Sequence, residues 1–256
     1  MSLVAQEREL PAMELMFQGE TLLIDPRGCL FWPKESLLVV SDLHLEKGSS
    51  YAAYKSNFMP PYDTHATLER LALCIADWQP KTVVSLGDSF HDRDASLRLP
   101  QSCRLAIRQL MEGRDWFWVC GNHDPIPPEN LGGTFCTEMM FGPFNFLHEP
   151  TRNFRFGEIA GHLHPAAKVM GRGRAVRRRC FATDGARLIM PAMGAFTGGL
   201  NVLDEAYAPC FPSGGMMVFA MAKESVIAVS NKRLIPDRGR PAAGQWRLKK
   251  QDSRKG

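Results

Sequence analysis

The stretch LLVVSDLH, residues 37–44, decides how the rest of this chain is interpreted. Four apolar residues typical of a buried strand lead directly into a polar segment that contains Asp42 and His44. The arrangement recurs three times, as VVSL before GDSFH (87–91), WFWVC before GNHD (121–124) and FGEIA before GHLH (161–164). A lone histidine, His148, follows FNFL. Such side chains at the ends of successive strands predict a hydrolytic site for two metal ions.

Length and composition limit the class of protein. The 256 residues are 45% hydrophobic and 23% charged, which is typical of a globular domain in water. We expect one domain over residues 13–230 and a basic, flexible C-terminal tail over 231–256. The seven cysteines form no C-x-x-C pair, so we expect reduced thiols and a cytoplasmic protein. No apolar run is long enough for a membrane span, and the charged N-terminus does not resemble a signal peptide.

Positive charge is unevenly distributed along the chain. The net charge is +4, but residues 231–256 hold nine Lys or Arg against two Asp, a net +7, which leaves −3 for the remainder. A second basic cluster ends in Arg177, Arg178 and Arg179. Basic clusters on a near-neutral body indicate a polyanionic partner. The three arginines are therefore either a DNA-facing rim or the solvated face of a strand, and the tail is either a DNA contact or a solubilising segment.

The first half of the chain alternates predicted strands and helices. A hairpin over 15–33, turning at Asp25–Gly28, comes first. Strands are then expected at 37–41, 82–86 and 116–120, with helices at 64–78, capped by Asp63, and from Pro100 to Gly113. The second half contains apolar runs typical of strands and little helix. We predict an α/β (α+β) fold in which a second sheet packs on a first, mostly parallel sheet.

The residue types at the strand ends fit two divalent ions. The candidate ligands are Asp42, His44, Asp88, Asn122, His148, His162 and His164. Two ions carry four positive charges, and Asp42, Asp88 and a bridging hydroxide remove three. The remaining charge matches the single negative charge of a phosphodiester, which the hydroxide would attack. Mixed imidazole and oxygen ligands favour Mn, Fe or Zn, and we expect Mn.

Two residues of GNHD are candidate catalytic groups. His123 adjoins a candidate ligand and is placed to contact the scissile phosphate, as an electrostatic stabiliser or as an acid for the leaving alkoxide. Asp124 is expected either to hold the loop or to orient a neighbouring group.

The ordered string D-x-H, GD, GNHD, lone His and GHxH over residues 37–165 resembles the calcineurin-like metallophosphoesterase superfamily. The resemblance implies a two-sheet αββα sandwich and a catalytic role for His123. It implies that Asp88 is shared by two metal ions. The other ligands of one ion would be Asp42, His44 and His164, and those of the second would be Asn122, His148 and His162.

A closer resemblance is to the bacterial DNA ligase-associated metallophosphoesterases, described as DNA-damage-response endonucleases. It is carried by SDLHLEKGSSYA (41–52), LGDSFHD (86–92), CGNHDP (120–125), GEIAGHLHPAA (157–167) and RLIMPAMGAFTGGLNV (187–202). This resemblance implies Mn-dependent cleavage of DNA, single-stranded or damaged. It also implies a role in DNA repair together with a DNA ligase and a helicase.

One position departs from part of the superfamily. Its protein phosphatases carry an aspartate three residues after the bridging aspartate, as the partner of the catalytic histidine, whereas this chain has His91 there. GDSFH instead resembles the GDLFH of the superfamily's DNA-repair nucleases, in which the extra histidine is implicated in handling the DNA. The departure favours nucleic-acid diesters and leaves the partner of His123 unassigned.

Two alternatives stay open beside a DNA endonuclease. The same site could act as a phosphodiesterase or pyrophosphatase on a nucleotide or another small phosphate ester, although His91 and the basic clusters argue against it. A non-enzymatic scaffold would be expected to have lost candidate ligands, whereas all seven are present.

Overall fold

Two mixed β-sheets stack face to face in the computed structural model of the chain. The structure describes residues 11–54, 62–125, 131–152, 155–171, 173–211 and 215–237. The predicted two-sheet α/β sandwich is confirmed. No helix among the described residues is long and apolar enough to cross a membrane.

The first sheet, as far as the structure describes it, contains seven strands in chain order. They are β1 (Met13–Phe17), β2 (Glu20–Ile24), β3 (Leu30–Trp32), β4 (Leu37–Val40), β5 (Thr82–Leu86), β6 (Asp115–Val119) and β7 (Thr134–Cys136). Strands β1 to β4 form an antiparallel meander, and β4 to β7 pair in parallel. The predicted hairpin over 15–33 is confirmed at its turn, Asp25–Gly28, which joins antiparallel β2 and β3. Its first arm is divided by a second turn that the sequence analysis missed, because Gln18 and Gly19 turn the chain between β1 and β2. Both have positive φ, 50° and 81°, as tight hairpin turns require.

The described residues of the first half of the chain form four α-helices. They are α1 (Lys47–Tyr54), α2 (Asp63–Trp78), α3 (Ala95–Arg98) and α4 (Gln101–Met111). Apolar residues of α2 and α4 pack on the outer face of the first sheet, against β4, β5 and β6. The predicted N-cap of α2 is one residue off: Tyr62 caps the helix, and Asp63 begins it and accepts a hydrogen bond from the backbone of Gly48.

In the second sheet, the described part of the chain forms nine strands. They are β8 (Glu138–Phe141), β9 (Phe144–Leu147), β10 (Glu158–Ala160), β11 (Pro165–Met170), β12 (Ala175–Thr183), β13 (Arg187–Ile189), β14 (Leu200–Asn201), β15 (Met217–Met221) and β16 (Val226–Val229). Their order is β14-β11-β12-β13-β10-β9-β8, with β15 pairing β12 and β16. Phe146, Ile159 and Phe181 face the first sheet in the shared core. On the outer face, the described residues form a 3-10 turn, Glu205–Tyr207, in place of the expected α-helical layer.

The predicted boundary between domain and tail falls inside folded structure. Leu234 is buried and bridges to Val169 of β11, and the backbone N–H of Ile235 donates to the carbonyl of Lys168. The first part of the predicted flexible tail therefore packs on the second sheet. The rest of it, 238–256, lies outside the described residues.

The fold brings one set of loops together. Parallel strands β4, β5 and β6 end at the same edge of the first sheet, and parallel strands β9 and β10 end at the facing edge of the second. Backbone hydrogen bonds tie these loops to one another, such as Asp42 N–H to the carbonyl of Gly87 and Gly161 N–H to that of His148. The polar motifs found in the sequence therefore lie together where these edges of the two sheets meet.

Candidate metal centre

The seven candidate ligands form two adjoining clusters at this edge. The first cluster contains Asp42, His44 and His164, whose potential ligand atoms all lie within 4.8 Å of one another. Nε2 of His164 is 3.1 Å from Oδ1 of Asp42 and 3.3 Å from Nε2 of His44. The hydroxyl of Ser41 donates to Oδ2 of Asp42, so this carboxylate is held in place by a residue of the SDLH motif to which the sequence analysis assigned no role.

The second cluster contains Asp88, His148 and His162, again within 4.8 Å of one another. Nε2 of His148 lies 3.2 Å from Nδ1 of His162 and 3.0 Å from the amide oxygen of Asn122. Nδ1 of His148 donates to the carbonyl of Leu86 at 2.8 Å, which leaves Nε2 directed at the cluster. No sequence pattern could have identified a main-chain carbonyl as this orienting group.

Asp88, a member of the second cluster, also faces the first. Its Oδ1 is 3.4 Å from Nε2 of His148, and its Oδ2 is 3.8 Å from Nε2 of His44. The two oxygens of one carboxylate therefore face different clusters, as a bridging ligand requires.

The arrangement fits two divalent ions. Imidazole nitrogens of different residues approach one another to 3.2–3.3 Å in both clusters, so their lone pairs converge on shared centres. The buried carboxylate of Asp42 adds negative charge to the first centre, and that of Asp88 adds negative charge to both. Such nitrogen and oxygen donors suit Mn, Fe or Zn.

Electrostatics hold the carboxylates ionised. Burial raises the pKa of Asp42, but its hydrogen bond with His164 and the neighbouring imidazoles lower that pKa by more, so it lies below its ordinary value. The pKa of Asp88 is likewise below its ordinary value, because His148 outweighs the effect of burial. Burial lowers the pKa of His44 to about 3. Burial also disfavours charge on His148, but Asp88 and Asp42 raise its pKa to about 9.

Five of the seven candidate ligands occupy left-handed backbone conformations. The φ angles are 51° for Asp42, 44° for His44, 47° for Asp88, 69° for His162 and 46° for His164. Residues other than glycine rarely adopt this region, and such strain clusters at functional sites.

The glycine of each motif permits a close approach. A Cβ on Gly87 would lie 2.6 Å from the ring of His148, and one on Gly121 would overlap Asp88. A Cβ on Gly161 would overlap Ser41 and lie 2.6 Å from Oδ2 of Asp42. Glycine is therefore needed at these positions because a ligand of the neighbouring loop occupies the space.

His123 and His91 lie together at the exposed side of the clusters. Nδ1 of His123 is 2.6 Å from the main-chain carbonyl of His91, so this nitrogen carries the proton and Nε2 lies 4.0 Å from Oδ2 of Asp88. The partner of His123 that the sequence left unassigned is thus the backbone of His91. The ring of His91 stacks on that of His123, contacts Tyr51, and places Nδ1 3.3 Å from Nδ1 of His44.

Asp124 holds the loops rather than facing the open site. Its Oδ1 accepts hydrogen bonds from the backbone N–H groups of Asp88 and Gly121, and its Oδ2 accepts one from Phe90. Burial raises its pKa to about 6. Of the two roles considered for Asp124, the geometry supports positioning of Asp88.

The predicted arginine rim is not a single surface. Arg179 is largely buried and donates to four main-chain carbonyls and one hydroxyl in the segment 192–197. Burial lowers its pKa to about 10. Its hydrogen bonds to the segment 192–197 favour a role as an anchor of that segment over a contact with DNA. Arg177 donates to the carbonyl of Gly199 and pairs with Asp237. Arg178 is exposed, its guanidinium donating only to the carbonyl of Arg177 among the described residues.

Comparisons with known proteins agree with the geometry. Residues 36–186 match the profile of the calcineurin-like phosphoesterases. The structure is similar to the crystal structure of Pseudomonas putida nuclease MPE, with 27% sequence identity over 85% of this chain and 100% of that chain and a TM-score of 0.67. No curated protein matches the sequence. Since the profile covers more than half of its residues, the chain belongs to the calcineurin-like phosphoesterase family of metal-dependent hydrolases.

Proposed function

We propose that the protein is a Mn-dependent endonuclease that hydrolyses phosphodiester bonds of single-stranded or damaged DNA in the cytoplasm. The observation that carries the proposal is the placement of Asp88, whose two oxygens face separate clusters of nitrogen and oxygen donors. Asp42, His44, His164 and Asp88 would hold one ion, and Asp88, Asn122, His148 and His162 the other.

Two such ions lower the pKa of a shared water and stabilise the attacking and leaving oxygens of an in-line displacement. The protein's own residues orient these centres and complete the acid–base chemistry. The hydrogen bond from Nδ1 of His123 to the carbonyl of His91 fixes the ring and leaves Nε2 as the proton-exchanging atom. That ring is 40% exposed, so Nε2 is accessible to the leaving oxygen of a bound diester. The carboxylate of Asp124 accepts a hydrogen bond from the backbone N–H of Asp88 and so fixes the position of that residue.

Two observations support DNA as the substrate. The structurally similar Pseudomonas putida protein is a nuclease. His91 also projects its ring between His44, His123 and Tyr51 at the exposed side, where a longer substrate would cross the site. A functional link to a DNA ligase and a helicase belongs to the same proposal.

One feature favours hydrolysis of a small phosphate ester instead. A cavity of about 320 Å³ adjoins the second cluster, lined by Asn122 and His148 on one side and by Glu138 and Glu149 on another. This volume suits a nucleotide-sized leaving group. The carboxylates on its wall would repel further phosphates, which argues against a polyphosphate.

The deciding experiment is cleavage of circular single-stranded DNA by protein stripped of metal and resupplied with Mn, Zn or Mg. A circle has no ends, so its loss with Mn establishes endonuclease activity. Asp88→Ala should abolish cleavage, and Asp115→Ala, a change of the same kind at an exposed residue at the opposite end of β6, should not. Intact circles together with Asp88-dependent hydrolysis of methyl p-nitrophenyl phosphate would refute the nuclease proposal in favour of a small ester.

A further inference from the structure

The motif GAFTGG, residues 194–199, has no part in the proposed metal chemistry, yet it lies beside the first cluster. The backbone N–H of Gly194 donates to the carbonyl of Asp42, and that of Leu200 donates to the carbonyl of His164. A Cβ on Gly199 would lie 2.8 Å from the same carbonyl of His164. This loop is therefore attached at both ends to loops that carry candidate ligands.

Phe196 is the exposed residue at the centre of the loop. Its side chain is 50% exposed, whereas the flanking Ala195 and Thr197 are buried. Its φ angle of 58° puts an aromatic residue in the left-handed region, where bulky side chains are genuine outliers. The fold thus presents a ring to solvent next to the site and tolerates backbone strain to do so.

Cationic side chains bind the main-chain carbonyls of the loop and of the residue before it. Lys47 donates to the carbonyl of Phe196 itself at 3.2 Å, and Arg70 donates to that of Met193. Arg177 and Arg179, described above, bind the carbonyls of Gly199 and Gly194 at the two ends of the loop. Four cationic side chains therefore bind the backbone of the segment that carries the exposed ring. Aromatic side chains within a positive groove are what proteins use to bind single-stranded nucleic acid, because each base can stack and each phosphate is attracted.

We propose that Phe196 is a stacking platform for a nucleobase adjacent to the scissile phosphate. The proposal rests on the proposed function and specifies its substrate. Base faces are covered within a duplex, so a stacking platform of this kind selects a single-stranded or locally unpaired segment. Lys47, which binds the carbonyl of Phe196, would attract a phosphate beside the stacked base.

The test compares two replacements of Phe196 on two substrates. Phe196→Asn removes the ring but tolerates the left-handed backbone, and Phe196→Tyr keeps the ring. Each variant is assayed on a single-stranded oligonucleotide and on the same oligonucleotide with abasic residues flanking the mapped cleavage site. Phe196→Asn should lower kcat/KM on the normal oligonucleotide by about 5- to 150-fold, as expected for one base–aromatic stack. It should have no effect on the abasic one, and Phe196→Tyr should retain wild-type rates on both.

The outcomes separate the two proposals. Equal losses on the normal and abasic oligonucleotides, or no loss on either, would overturn stacking while leaving the nuclease intact. Wild-type protein that cleaves neither oligonucleotide but hydrolyses methyl p-nitrophenyl phosphate would overturn the proposed function itself. Self-association that Phe196→Asn abolishes, with unchanged DNA cleavage, would assign the ring to a contact between copies of the chain.

Discussion

Replacement of Gly87 by alanine separates backbone strain from displacement of a candidate ligand. The new Cβ would lie 2.6 Å from the ring of His148, whereas ordinary contacts begin at 3.4 Å, so ring or loop must move by about 0.8 Å. A displacement of about 1 Å in a catalytic site can cost about 100-fold in rate. We expect kcat to fall by about that factor. The free energy of unfolding should fall by about 2–5 kcal/mol, from left-handed strain and overpacking together.

Gly113→Ala is the matched control. Gly113 has nearly the same φ, 70° against 74° for Gly87, but nothing lies within 4 Å of its added Cβ. It should lose only the strain contribution, about 1–2 kcal/mol, and keep the wild-type kcat. The assay is hydrolysis of methyl p-nitrophenyl phosphate at saturating Mn, with thermal unfolding of both variants. Wild-type kcat for Gly87→Ala, or equal loss of activity for Gly113→Ala, would refute the argument that glycine makes room for His148.

Three further predictions follow from contacts within and around the site. Asp124→Ala leaves three buried N–H groups without an acceptor and should lower the free energy of unfolding by about 2–5 kcal/mol. Asp124→Asn keeps one acceptor oxygen and should lower it by less. Equal losses for the two variants in thermal unfolding would count against a positioning role for Asp124. Binding of the proposed Mn ions at pH 7 should release about one proton from His148, which has a pKa of about 9 without metal and must become neutral to bind, in addition to the proton that a shared water loses on forming a hydroxide. Calorimetry in buffers of different ionisation enthalpy measures the protons released, and apparent affinity should rise with pH up to about 9. Arg179→Lys should lower the free energy of unfolding by about 2–4 kcal/mol, because an ammonium group cannot reproduce the planar guanidinium that binds several carbonyls. The control, Arg178→Lys, should show the thermal unfolding of the wild type.

Much of the site could be predicted because its candidate ligands lie in short motifs that occur in a recognisable order along the chain. Each motif follows an apolar run, and parallel pairing necessarily brings the ends of such strands to one edge. The sequence therefore predicted that Asp42, Asp88 and His148 would meet, although they are far apart along the chain. The strand at 82–86 has its predicted bounds, and the helix predicted at 64–78 ends at Trp78 as predicted but begins one residue earlier, at Asp63.

Other features have no pattern that a single sequence reveals. Helix α1, KGSSYAAY, has little amphipathic periodicity and forms where Ser50 bonds back to Glu46 beside the site. The run of arginines looked uniform, but strand alternation sends Arg179 into the loop 192–197 and leaves Arg178 in solvent. The exposure of Phe196 depends on tertiary hydrogen bonds from distant residues, and neither its spacing nor its residue type predicts that.

The left-handed ligand residues set stability against activity. Each left-handed residue lowers the free energy of unfolding by roughly 1–2 kcal/mol relative to a relaxed conformation, so the five together lower it by roughly 5–10 kcal/mol. Glycine or asparagine at Asp42, His44 or Asp88 would release part of that strain and remove a candidate ligand in the same step. A library selected for thermal resistance alone should therefore enrich inactive proteins altered at this centre. Engineering a more durable form of the enzyme requires selection for turnover in every round.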